Sequence, residues 1–149
     1  MNNYDFYLRH ASVRSGEWVG FLLARKELAG VQGLPARPHL HWRPWVLDPT
    51  FPDDPASGTW GVWQWRLDVA ALDFVAGLDF VPPTDGRSPN DVRTDLQAFL
   101  PISTFELKDV DGATYNVIMT AFQESAIEPT DANHPEGGWL IRVEFAEVS

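Results

Sequence analysis

The sequence predicts a mainly β protein, an antiparallel two-sheet sandwich or barrel with one flanking α-helix at about residues 89–100 and long proline-rich loops. Three observations predict it. Apolar residues alternate with period two in several short runs. Nine Phe, seven Trp and three Tyr stand beside twelve Pro and eleven Gly, a balance that suits strands and fixed turns over a helical bundle. One stretch, and one only, carries a complete helix start. At 149 residues the chain fits a single domain, 1–149, able to bury roughly two thirds of the surface its unfolded form exposes.

The elements follow in order. Tyr4, Phe6 and Leu8 alternate with Asp5, Tyr7 and Arg9 as a first strand, and Ser15-Gly16 turns the chain into Glu17 to Arg25. That run is nearly continuously apolar, compatible with a strand buried on both faces or with a short helix. Leu34 to Trp45 holds Pro35, Pro38 and Pro44, which rules out a central strand and leaves extended backbone at a sheet edge or along a surface. Asp48 to Gly58, with Pro49, Pro52 and Pro55, is a loop of restricted conformations, cheaper to order on association than a Gly/Ser loop.

Trp60 to Val69 reads as a strand, with Trp63, Trp65, Leu67 and Val69 on one side and Gln64, Arg66 and Asp68 on the other. The spacing of Leu67, Ala70, Ala71, Phe74, Val75 and Leu78 also fits a helix replacing the strand's end. Pro82 to Gly86 breaks the chain again. Ser88 then reads as an N-cap, Pro89 as the first helical residue and Asp91 as the third position after the cap, with Val92, Leu96, Phe99 and Leu100 as one apolar stripe. Pro101 ends that helix.

The last third predicts three strands. Phe105 and Leu107 alternate with Glu106 and Lys108, and Asp109-Val110-Asp111-Gly112 supplies the turn of a hairpin. The chain returns along Thr114 to Phe122, with Tyr115, Val117 and Met119 on one face and Thr114, Asn116, Ile118 and Thr120 on the other. Gln123 to Gly138, rich in polar residues and carrying Pro129 and Pro135, reads as an exposed loop of a length that goes with function or disorder. Trp139, Ile141, Val143 and Phe145 then alternate with Leu140, Arg142, Glu144 and Ala146 in a closing strand.

Composition excludes several function classes. The chain has no Cys, so thiol catalysis and thiolate metal sites are impossible. Its net charge is −10, with seven basic and eight acidic side chains in residues 1–75 against four and thirteen in 76–149. Such a chain lacks the basic patch that displaces counterions from phosphates, so specific nucleic-acid binding is not expected. With no charged-then-apolar leader and no apolar run near the ~18 residues of a membrane span, it is expected to be soluble and unprocessed.

Candidate sites divide by chemistry. His39-Leu40-His41 places two imidazoles on one extended face, but His10 and His134 are distant and no third ligand stands nearby, so a structural or solvent-facing role is preferred to a metal. Asp48, Asp53, Asp54, Asp109, Asp111 and Asp131 all lie in turn-like sequence, where Asp is expected for its backbone hydrogen bonding. No Gly-x-Ser-x-Gly elbow, phosphate-binding glycine loop or dinucleotide pattern occurs, so no enzymatic activity and no cofactor is expected. Trp42, Trp45, Trp60, Trp63 and Trp65 crowd into one quarter of the chain. Trp63 and Trp65 read as core; Trp42 and Trp45, flanking Arg43 and Pro44, fit a subunit interface or a sugar-stacking platform as well as core.

The hairpin Asp111-Gly112, the run Tyr115-Asn116-Val117-Ile118-Met119 and the closing Gly137 to Phe145 resemble the end of small tail proteins of long-tailed bacteriophages, the tail-tube and distal-tail group. The resemblance covers the C-terminal third and is one of rhythm; the Trp-rich middle departs from a plain tube subunit. It implies a structural virion subunit of the tail, made in the host cytoplasm, that assembles with itself as a hexameric or trimeric ring and with neighbouring tail proteins. DNA would pass through the channel without specific binding, and no membrane would be involved. Under that reading Asp48 to Gly58 and Glu124 to Gly138 are contact arms, and Trp42, Trp45, Phe51, Trp60, Asp53, Asp54, Glu128 and His134 form the interface. The alternative is a carbohydrate-binding β-sandwich module with a Trp platform; an enzyme of unknown class ranks last.

Overall fold

The computed structural model describes residues 4–24, 39–71, 86–127 and 138–148. It is mainly β with one α-helix: β1 Phe6–Arg9, β2 Val19–Phe21, β3 Leu40–Trp42, β4 Trp45–Val46, β5 Thr59–Trp60, β6 Gln64–Ala71, α1 Pro89–Ala98, β7 Phe105–Lys108, β8 Thr114–Ile127 and β9 Gly138–Glu147. Seven strands form one antiparallel sheet in the order β2-β1-β7-β8-β9-β6-β3, and β4 and β5 pair separately.

The large sheet curls until its ends meet. Leu23, just past β2, bridges Val69 of β6, with Ala24 N–H donating to the Asp68 carbonyl at 2.7 Å and Ala70 N–H to the Leu22 carbonyl at 2.9 Å. All three residues of β2 are buried, as expected for a strand covered on both faces. Inside the curl, Phe6, Leu8, Phe21, Trp65, Val69, Phe105, Leu107, Val117, Ile141, Val143 and Phe145 form a single core cluster. These are the inward positions of period-two strands, so burying that face gives the sheet its register.

The helix begins as its sequence requires. The Ser88 hydroxyl accepts from Asp91 N–H and the Asp91 carboxylate accepts from Ser88 N–H, a complete capping box ahead of Pro89 at the first helical position. Those hydrogen bonds hold the Asp91 carboxyl below its ordinary range. Leu96 and Phe99 are wholly buried, and Phe99 stacks obliquely on Phe105 at 5.0 Å. Leu100, expected in the apolar stripe, is exposed at 47%, because the helix stops at Ala98 and the chain turns outward before Pro101. The helix is pinned by polar contacts as well. Asp95, buried on the same face, takes Arg14 Nε at 2.8 Å and Arg87 NH1 at 3.1 Å, while Arg87 also donates to the Gly20 carbonyl at 2.6 Å. The backbone that delivers Arg14 is left-handed at three successive residues, with φ of 45° at Arg14, 58° at Ser15 and 79° at Gly16.

Three expectations from the sequence are corrected. The run Trp60 to Val69 is two strands: Trp60 pairs with Trp45 in the small hairpin, and the chain passes through Gly61 to Trp63 before β6 begins at Gln64. β6 then continues to Ala71, so the helical spacing of Leu67, Ala70 and Ala71 is incidental; residues 72–85 lie outside the described part. The polar loop expected from Gln123 is strand as far as Ile127, paired with β9 through Ala126↔Trp139 and Ile127↔Gly138. A bulge between Met119 and Ala121 reverses the alternation, so that Tyr115, Val117 and Met119 face inward before it and Phe122 and Glu124, opposite Val143 and Ile141, after it. Glu124 is tolerated there because Arg93 of α1 clasps it with two bonds of 2.7 Å and Gln97 adds a third at 3.3 Å.

Asp95→Ala removes the buried carboxylate that Arg14 and the 8%-exposed Arg87 both meet, and should cost about 3 kcal/mol in chemical denaturation. The hydrogen bonds from Arg93 come first in holding the Glu124 carboxyl below its ordinary value of 4.5; burial works against them, and the Arg93 charge and Gln97 assist. A carboxylate lowered in the folded state contributes stability that is present above its unfolded value and lost as pH falls through the folded one. Acid titration below pH 4.5 should therefore weaken the protein by a component that Glu124→Gln lacks, read as thermal midpoint against pH.

Candidate interaction surface

Between β3 and β6 the chain leaves the barrel as an arm, residues 43–61, that contains the β4–β5 hairpin. Its sequence dictates its shape. Pro49, Pro52 and Pro55 each follow a residue whose carbonyl closes a turn: Phe51 N–H donates to Asp48, Asp54 N–H to Phe51 and Ser57 N–H to Asp54, at 3.0, 3.2 and 3.0 Å. Proline at the second position of each turn presets the φ that turn needs. The Asp48 carboxylate accepts from Thr50 N–H at 2.8 Å, and Asp54 accepts from Ala56 N–H and the Ser57 hydroxyl. The spiral is tied back to its root by Asp48 N–H to the Ser57 carbonyl, Gly61 N–H to the Pro44 carbonyl at 2.7 Å and Arg43 Nε to the Gly61 carbonyl at 2.8 Å.

What the arm carries on this scaffold is apolar and uncovered. Trp45, Val46, Leu47, Phe51 and Trp60 are five of the nine exposed large apolar side chains among the described residues, which makes the arm the main concentration of such surface. Trp45 and Trp60, paired across the hairpin, meet edge to face with centroids 5.0 Å apart and planes at 83°. Gly58 lies so close beneath the Trp45 indole that a Cβ there would overlap the ring. The aromatic pair is therefore fixed by backbone on one side and open on the other.

Of the residues expected at an interface, Trp45, Phe51, Trp60, Asp53 and Asp54 come together here, all exposed. Trp42 does not join them; it is half-buried on β3 opposite Gln64. Glu128 and His134 lie outside the described residues, as does most of the second expected arm, whose ends, Glu124 to Ile127 and Gly138, are strand. Val46 and Leu47 were not singled out in the sequence, since two aliphatics beside Trp45 look like core until the turn spiral turns them outward.

A second cluster stands at the mouth of the barrel. His41, on β3, stacks on Trp65 at 4.7 Å with planes 10° apart, lies 4.3 Å from Trp63 and 5.9 Å from Tyr115, and its Nδ1 is 3.1 Å from Asp109 Oδ2. Burial, then the carboxylates of Asp109, Asp111 and Glu147, raise the Tyr115 hydroxyl above its ordinary 10.0. The ring faces of His41 are thus occupied by the protein's own aromatics, and Asp109, in a hairpin turn closed by Asp109 N–H to the Ala113 carbonyl and Gly112 at φ 84°, orients it. His41 joins the strand that starts the arm to the β7–β8 turn.

The chain matches no family model, no curated protein and no solved structure. No helix among the described residues is long and apolar enough to cross a membrane.

Side chains whose rings are open to water hold little of the fold together. Trp45→Ala and Trp60→Ala should each lower stability by less than about 1 kcal/mol, whereas Trp65→Ala, which empties the core, should cost about 3 to 5 kcal/mol. Urea denaturation of the three variants checks this.

Proposed function

We propose that this chain is a structural subunit of a bacteriophage tail, a tube, distal-tail or connector-type ring component, that works by oligomeric assembly around a channel and catalyses nothing. The observation that carries this reading is the arm: a segment ordered by its own turns that holds five of the nine exposed large apolar side chains among the described residues. A monomer gains nothing from that exposure, and burial against another subunit recovers it. Because the prolines and capping carboxylates have already ordered the arm, association does not have to supply that entropy.

Two further features support it. β8 runs ten residues beyond its pairing with β7, from Ile118 to Ile127, and β3 ends the sheet on its far side, so among the described residues two stretches of strand edge have no strand beside them. Unpaired edges accept a strand from another copy. The net charge of −10 suits a channel wall along which DNA slides without adhering. The subunit's place is then the virion tail, after synthesis in the host cytoplasm. A sugar platform fits less well, because a pyranose stacks on a flat indole face and the planes of Trp45 and Trp60 stand at 83° to each other.

Mass photometry of purified protein over a concentration series should show a discrete ring, hexameric or trimeric, growing at the expense of monomer. A strict monomer at every concentration counts against the reading.

A further inference from the structure

Residues 44–60 contain three aspartates and no Lys, Arg or Glu, so the apolar arm has an acidic rim; its one cation, Arg43, stands at the root with its Nε held by the Gly61 carbonyl. Asp48 and Asp54 use their carboxylates on backbone amides, and Asp53 makes no ion pair among the described residues. An occupant that covers Trp45, Phe51 and Trp60 must therefore be aromatic or aliphatic in the middle and cationic at its border. Any other border leaves those carboxylates facing apolar or like-charged groups as water is excluded.

The chain itself displays such a surface. On the outer face of β1 and β7, Tyr7 stands opposite Lys108 and Arg9 opposite Glu106. Half-buried Trp18 lies against both cations, 4.2 Å from the Arg9 guanidinium and 4.4 Å from Lys108 Nζ to its ring centroid. Arg9 is committed to Glu106 by bonds of 3.0 to 3.2 Å, which cancels that pair of charges. Lys108 has aromatic neighbours and no ion pair among the described residues, so it is the uncompensated cation of an aromatic patch in a protein of net charge −10.

Resting on the assembly reading above, we propose that the arm of one copy docks on the Tyr7–Trp18–Lys108 surface of the next, with Asp53 facing Lys108. The arm, rooted at β3, and the patch on β1 and β7 are different surfaces, so each copy offers both an arm and a receptor. The contact is head-to-tail, the kind that closes into a ring when its rotation divides a full turn. Glu17, exposed and next to Trp18 in the chain, makes no ion pair among the described residues, and its negative charge opposes an acidic arm docked there.

Charge reversal tests the pairing. Asp53→Lys and Lys108→Glu should each raise the dissociation constant of the assembly by about tenfold or more, while the doubly substituted chain, and an equimolar mixture of the two single variants, return to within about threefold of the original. Glu17→Lys should tighten assembly. Far-ultraviolet circular dichroism and thermal midpoints unchanged in Asp53→Lys, an exposed turn position, keep folding out of the comparison. A chain that assembles normally despite both single reversals overturns this docking while leaving the assembly reading in place, as does a double variant that fails to recover. An unsubstituted chain that stays monomeric throughout overturns both, and an arm that engages only some other basic protein overturns the choice of a second copy.

Discussion

A sheet with one apolar face stays dry on that face only if its two ends are brought together, and here six backbone residues do it: Leu22 to Ala24 against Asp68 to Ala70. That closure divides the edge of β6 between two strands. Its Ala70 end meets the continuation of β2, and its Gln64 end meets β3. The two ends of the curl are then filled by different means. Near Trp139 and Glu124 the helix enters, bringing Leu96 and Phe99 as apolar filling and Arg93 to satisfy the Glu124 carboxylate. At the other end Trp65, His41 and Tyr115 stack across the opening, and the Asp109 contact ties the last strand of the sheet to a hairpin two strands beyond β6.

Closure also explains why the arm points away. β3 can pair with β6 for only three residues, after which Pro44 removes a donor and the chain has no sheet edge to follow. It must leave and come back. The return is made at Gly61, whose N–H meets the Pro44 carbonyl, and the excursion between them is long enough for three linked turns. Each turn is specified twice, by a proline that sets φ and by the carbonyl of the residue before it that closes the ring, with Asp in two of those three positions to satisfy the freed amides. A segment so determined keeps its shape in the absence of any contact on its apolar side.

Much of this was readable from residue order, and the failures share one cause. The capping box at Ser88 and Asp91, the Asp109 to Gly112 turn and the inward sets Phe6/Leu8, Phe105/Leu107 and Tyr115/Val117 are local features, and each appears as its spacing implies. The continuation of β8 past Phe122 is not local. Glu124 and Ser125 look like loop because the residues that make them acceptable in a strand, Arg93, Gln97 and Leu140, are far away in sequence, and because the bulge at Thr120 shifts the parity that would have signalled a strand. The split of Trp60 from Trp63 and Trp65 is of the same kind. Alternation runs through all three, and only the pairing of Trp60 with Trp45 separates the exposed ring from the buried ones. His41 was visible as an imidazole on an extended face; that its partners are Trp63, Trp65 and Asp109 required β6 and the β7–β8 turn to converge on it.

Charge and apolar surface pull such a molecule in opposite directions. With −10 on each copy, two chains repel at long range, and at physiological salt that repulsion is screened beyond roughly 8 Å. Contact between apolar patches acts only once water has been squeezed out, at separations shorter than that. Under the proposed docking, the excess of acid suppresses encounters between misaligned copies more than it opposes the aligned one, in which Trp45, Phe51 and Trp60 would be covered and the charges nearest the contact would be of opposite sign. A rigid acidic-rimmed apolar arm on a self-repelling body is thus selective by construction: it favours partners that offer a cation beside an aromatic surface, and it penalises association through any other face.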